Sequence, residues 1–267
     1  MAVSPEHARK IALQHLRTTQ LLGVDFVPSP RVGVGLAADK PAEVAEVEDE
    51  SRATSKPVAA ERATTLVPPA PRPRSGDGGD KAAALAALRQ RHDAECPHCT
   101  RVKATYTQTV FSDGDANARL MIIGEAPGAE EDRLGIPFVG RSGELLNQML
   151  TAMGLTRESV YIANVLKARP PNNDTPTGEE AAKCGPYLKQ QIAIVQPEVI
   201  VTMGNPATQY ILNTKQGITS LRGVWQSYEG IPLMPTFHPA FLLRQYTPEN
   251  RKKVWSDLQE VMKRLKD

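Results

Sequence analysis

Aromatic residues are few in this 267-residue chain, at 5%, and residues 27–80 have none. Cysteine is scarcer still. Three cysteines, an odd number, argue against a disulfide framework and for a reducing compartment or a metal site. There is no run of 18 apolar residues and no apolar segment of a signal peptide, so a membrane partner is not expected and a soluble, cytoplasmic protein is. Strong charge of either sign is also lacking. The net charge is +2, and from Lys81 onward 22 Lys and Arg stand against 19 Asp and Glu, compared with 10 against 11 before it. Such a weak surplus is compatible with a nucleic-acid partner without arguing for one.

Proline, by contrast, is abundant at 22 residues, which hints at a non-globular part. Residues 5–22 read as an amphipathic helix, with Ala8, Ile11, Ala12, His15 and Leu22 on one face and Pro5 in the first turn. With the apolar tag that follows, residues 1–26 form a segment that either docks an unknown protein partner or folds back on the core. Residues 27–80 carry eight prolines and the acidic patch from Glu43 to Glu50. That composition cannot bury enough apolar surface to offset chain entropy, so a disordered linker is expected there. The remaining 81–267 is long enough for one sizeable core, and a monomer is expected.

Within that domain, residues 119–146 organise the rest. Leu120 to Ile123 form a short apolar run, the pattern of a strand buried on both faces. Two glycines and a proline between Gly124 and Gly128 then impose a compact loop at the strand's carboxyl end, where ligands bind in α/β sheets. The loop carries Glu125, Glu130, Glu131 and Asp132, and a second turn, Gly140 to Gly143, opens a helix beside Arg141, a phosphate seat. Further strands are expected over 160–167, 198–204 and 231–237, alternating with helices over 177–195, 206–212 and 248–265. This alternation predicts an α/β fold: a three-layer α/β/α domain around a central four-stranded parallel sheet, preceded by a disordered N-terminal extension.

The segment GEAPGAEEDRLGIPFVGRSGELL closely resembles the first motif of the family 4 uracil-DNA glycosylases, bacterial and archaeal iron–sulfur enzymes. VYIANVLKARPPNNDTP is similar to the family's VYITNVVKCRPPxNRxP, CGPYLKQQI to the helix that follows it, and FHPAFLLR to the late HPAxLLR. The resemblance runs from about Leu85 to the end and leaves out everything before residue 80. It implies an enzyme that hydrolyses uracil from single- or double-stranded DNA and starts base-excision repair. Phe138 then stacks on the base, Asn164 reads its edge, and Ala126 and Glu131 complete the base site. His238 donates to uracil O2 as charge develops. Glu125, paired with Asn173, orients the water; Glu131 is the second candidate, or positions the loop. Arg141, Ser142, Pro239 and Arg244 face DNA, while Leu242 or Leu243 wedges into the stack.

Two departures stand out. The family holds a 4Fe–4S cluster on four cysteines, and Cys96, Cys99 and Cys184 match three of them, but the remaining position is Ala168, which has no donor atom. Retention of CPHC and Cys184 favours a 4Fe–4S cluster as the cofactor, with a non-protein or nearby oxygen or nitrogen ligand on one iron; otherwise it is reduced to three irons or lost. Zinc on three thiolates plus His98 or His92 is a fourth option. Asp174 stands where the family has Arg, which weakens phosphate contact. Two other readings remain. The first is a uracil-binding module without turnover. A covalent trap would need a histidine-bearing insertion, and no His occurs between residues 100 and 237. The second is an interaction protein working through its N-terminal helix.

Overall fold

The computed structural model describes residues 78–95 and 106–266. The helix expected over 5–22, the linker up to residue 77, and Cys96, His98 and Cys99 lie outside the described residues. Helix α1 (Gly78–Glu95) begins three residues before the expected domain boundary, with Asp80 in its first turn complementing the helix dipole. The chain then passes through β1 (Asp113–Gly114), β2 (Leu120–Gly124), α2 (Ala129–Leu134), α3 (Arg141–Ala152) and β3 (Tyr161–Asn164). The second half holds α4 (Gly178–Val195), β4 (Val199–Met203), α5 (Asn205–Leu212), α6 (Ile218–Leu221), β5 (Gln226–Tyr228), β6 (Ile231–Thr236), α7 (Pro239–Arg244) and α8 (Pro248–Lys266). No described helix is long and apolar enough to cross a membrane.

The strands form one sheet in the order β1-β3-β2-β4-β6-β5. Its four central strands are parallel, while β1 and β5 pair antiparallel at the two edges. The sheet therefore has six strands where four were expected. The two extra ones, Asp-Gly and Gln-Ser-Tyr, are too short and too polar to leave an apolar run in the sequence.

Alternation along β2 splits the core in two. Leu120 and Ile122 pack with Leu146, Met149 and Leu150 of α3 and with Val254, Leu258 and Val261 of α8. Met121 and Ile123 face the other way, onto Leu188 and Ile192 of α4, Ala207 and Ile211 of α5 and Leu85 of α1. Both faces of the parallel strands are covered, as such strands require.

A buried ion pair fixes the end of β6. Asp257 of α8 is 1% exposed. It accepts from Arg222 Nε at 3.1 Å and from the Thr236 hydroxyl at 2.6 Å. Arg222 also donates to the Lys253 carbonyl at 2.8 Å. Asp257→Ala leaves the guanidinium without its partner, and urea denaturation should show a loss of about 3–5 kcal/mol. A loss below about 1 kcal/mol would mean the pair does not hold this strand end.

Candidate active site at the carboxyl ends of the sheet

The chain leaves β2 to one side for β3 and returns to its other side for β4, so a crevice opens beyond the carboxyl ends of these strands. A cleft of about 450 Å³ lies there, lined among others by Glu125, Phe138, Asn164, Asn173, His238 and Arg244. Most residues singled out in the sequence thus converge, although they come from four separate stretches of chain.

Gly124 makes the floor of this cleft possible. A Cβ on it would lie 2.3 Å from Asn164 Oδ1 and 2.5 Å from Phe138 Cζ. Phe138 itself sits at φ 54°, a left-handed conformation unusual for an aromatic residue. Arg157 holds it there, donating to the Phe138 carbonyl at 2.8 Å and to the Pro137 carbonyl, with its Nε on Asp113 at 2.7 Å. The backbone of Gly143 packs so close that a Cβ there would meet Phe138 O at 1.8 Å. The Phe138 ring stacks on His238, with centroids 5.5 Å apart and planes at 28°.

The loop between β2 and α3 is closed by Glu131. One carboxylate oxygen accepts from the N–H groups of Val139 and Gly140, both at 2.9 Å, and the other from Gly128 at 3.1 Å. Of the roles anticipated for Glu131, this geometry is that of positioning the loop. Glu125, three residues before Gly128, has no such backbone partners among the described residues. Burial pushes its carboxyl above the usual range, partly offset by a hydrogen bond with Thr175 and by the Arg244 charge. Asn173, anticipated as the partner of Glu125, lines the same cleft. Asn173 sits at φ 56° and its amide oxygen accepts from Arg169 Nε at 2.8 Å.

His238 caps α7, its Nδ1 accepting from the Ala240 N–H at 3.0 Å. Nδ1 is therefore unprotonated, and Nε2 carries the hydrogen. Burial first, then the Arg244 charge, push the imidazole down to about 4, with Glu131 opposing, so it is neutral at physiological pH. Asn164 completes the set. It is 2% exposed, and its Oδ1 is buried with no hydrogen-bond partner. Such an orphan acceptor in a native site marks a place for a donor supplied from outside.

Among the DNA-facing expectations, Arg141, Ser142 and Arg244 line the cleft, while Ala126 lies in its wall. Pro239 and Leu242 do not reach it. Both are buried, and Leu242, 1% exposed, packs in the core because α7 turns that face toward the sheet. Leu243 is only partly buried. Arg157 and Thr175 were not singled out in the sequence, whereas Gly143 was read only as part of the turn that opens α3.

The family model of the Uracil DNA glycosylase superfamily matches residues 111–259, the segment that builds this cleft. The chain belongs to that superfamily. Curated relatives assign the branch. The Type-4 uracil-DNA glycosylase of Thermotoga maritima is 44% identical over 60% of this chain and 84% of its own. That of Sulfurisphaera tokodaii is 44% identical over 58% and 74% respectively. That of Archaeoglobus fulgidus is 41% identical over 64% and 88%.

For a type-4 member the donor set is incomplete. Cys184 is buried at the start of α4 beside Leu166, Ala126 and Tyr187. Position 168 is a buried alanine packed against Tyr106, and among the described residues no three metal-ligating side chains gather. His92, on α1, is likewise buried, with Nδ1 2.9 Å from Asp93 Oδ1. These residues do not fit a four-thiolate cluster. Ala168→Cys supplies the missing thiolate, and iron and acid-labile sulfide in the purified protein should both rise over wild type. Iron and sulfide absent from both proteins would show that the cysteines do not form a cluster site.

Proposed function

We propose that the protein hydrolyses the N-glycosidic bond between uracil and deoxyribose in DNA and so initiates base-excision repair. The observation that carries this reading is the orphan acceptor of Asn164, facing a cleft whose other walls are a fixed aromatic ring and a neutral histidine. Uracil presents a donor at N3–H and an acceptor at O4. The Asn164 amide matches both, accepting at Oδ1 and donating from Nδ2. Cytosine reverses the pair, with an acceptor at N3 and an amine at C4, and would leave buried polar groups unpaired. The names of the type-4 relatives agree with this assignment.

The reaction follows from these positions. The uracil nucleotide leaves the stack and enters the cleft. As the C1′–N1 bond breaks, its electron pair passes to the base and spreads over O2 and O4, while C1′ acquires oxocarbenium character. Nε2–H of neutral His238 donates to O2, a bond that strengthens as charge accumulates. Water adds to C1′ and gives its proton to the Glu125 carboxylate, leaving an abasic sugar and the uracil anion, which solvent protonates. Arg141, Ser142 and the N-terminus of α3 hold phosphate at one rim and Arg244 at the other. Leu243, rather than the core residue Leu242, fills the vacated stack.

Uracil release from a uracil-containing oligonucleotide tests this. His238→Ala should lower kcat by about 10²–10³-fold, the cost of losing one preorganised donor to a developing oxyanion. Asn164→Ala should weaken release and narrow the preference for uracil over cytosine. Binding of the oligonucleotide without release of base would instead indicate a uracil-recognising module.

The pH profile makes a separate prediction. Glu125 acts deprotonated and its ionisation is raised, so kcat/KM should fall as pH drops, starting above the ordinary carboxylate range. His238 stays neutral down to about pH 4, so it sets no limb near neutrality. In Glu125→Gln the acid limb should disappear along with most of the rate. An acid limb that persists in that variant would assign it to another group.

A further inference from the structure

Lys167 is fully buried, yet nothing in the reaction above uses it. Its Nζ donates to the main-chain carbonyl of Asn164 at 2.8 Å and to Gln191 Oε1 at 2.5 Å. The Phe111 ring lies 5.4 Å from the nitrogen. No carboxylate stands at ion-pair distance among the described residues. Burial disfavours the charged form of this amine, with only Cys184 opposing, and the hydrogen bonds it makes are what occupy it there.

What they hold is the end of β3. Strand β1 pairs with β3 only at Tyr161 and Ile162, so the outer edge of Asn164 has no strand beside it. Lys167 and Gln191 occupy that place. Gln191, from α4, donates in turn to the Phe111 carbonyl at 3.2 Å and to the Tyr161 hydroxyl at 3.0 Å. On the inner edge, the N–H groups of Val165 and Leu166 donate to the carbonyls of Gly124 and Glu125 at 3.0 and 3.1 Å. Asn164 is thus pinned from both sides, by the loop that carries Glu125 and by a buried polar network behind it.

We propose that Lys167 is a positioning residue for base recognition, its amine, braced by Gln191, fixing the Asn164 backbone and through it the amide that meets the uracil edge. The inference rests on the uracil reading of the cleft. Lys167 touches neither base nor sugar and acts only through Asn164.

The test combines Lys167→Met, which keeps the length and removes the donors, with Asn164→Ala in a double-mutant cycle. Lys167→Met should lower kcat/KM for uracil release and the affinity for free uracil by roughly 10- to 100-fold, as a displaced contact of this kind does. Binding of a duplex carrying a tetrahydrofuran abasic analogue, which has no base to read, should be unchanged. In the Asn164→Ala background the same substitution should cost no more than about twofold further. Gln191→Leu should reproduce the selective loss of uracil affinity, and it decides the matter if Lys167→Met fails to fold. Equal losses in both backgrounds, or equal weakening of uracil and abasic duplex, would make Lys167 a general stability residue and overturn the proposal. A wild-type protein that binds free uracil but releases none would contradict the activity while leaving the positioning test in force. One that binds no uracil would remove both.

Discussion

The site depends on the absence of a single carbon atom. At the carboxyl end of β2, Gly124 leaves room for the Asn164 amide and the Phe138 ring to occupy one small volume. Any side chain there would drive the two apart, and the cleft would lose its buried amide and its aromatic wall together. Every other contact around the site serves to bring those groups into this space. Arg157 and Gly143 keep Phe138 in a left-handed backbone conformation, Glu131 closes the loop through three backbone N–H groups, and Lys167 secures Asn164 from behind. None of these holding residues needs to touch the base.

The same division explains what the sequence made legible. The parallel strands were readable because burial on both faces requires apolar runs such as LMIIG and VIVTM. Glu125, Asn164 and His238 each follow or end such a run, where α/β sheets place their ligands. These three and Phe138, in the loop before α3, were readable as a site chiefly because their segments resemble the glycosylase motifs. The edge strands were not, because two or three polar residues show no period. Arg157 and Lys167 were not, because an arginine 19 residues from the carbonyl it holds, or a lysine 24 residues from its glutamine, has no local signature. Leu242 and Leu243 were indistinguishable in the sequence, and only the orientation of α7 separates the core leucine from the partly exposed one.

Electrostatically the cleft is divided. Arg141 and Arg244 sit among Glu125, Glu130, Glu131 and Asp174. This mixture agrees with the small net charge of the chain and limits general attraction for the phosphate backbone. Recognition must then draw more on the base pocket than on a basic coat. The alanine at 168 fits the same separation of roles. It lies in a different cluster of side chains, packed by Tyr106, while Asn164 and Phe138 are held by hydrogen bonds that involve no cysteine.

The central claim is that a buried amide oxygen waits for a donor at N3 of the base. An oligonucleotide carrying N3-methyluracil keeps O2, O4 and the glycosidic bond but lacks that donor. Comparing base release from it with release from the matching uracil oligonucleotide tests the claim most directly. Release of uracil with none of the methylated base is the predicted result. Release of both at similar rates would contradict it, since the Asn164 oxygen would then have no part in choosing the substrate.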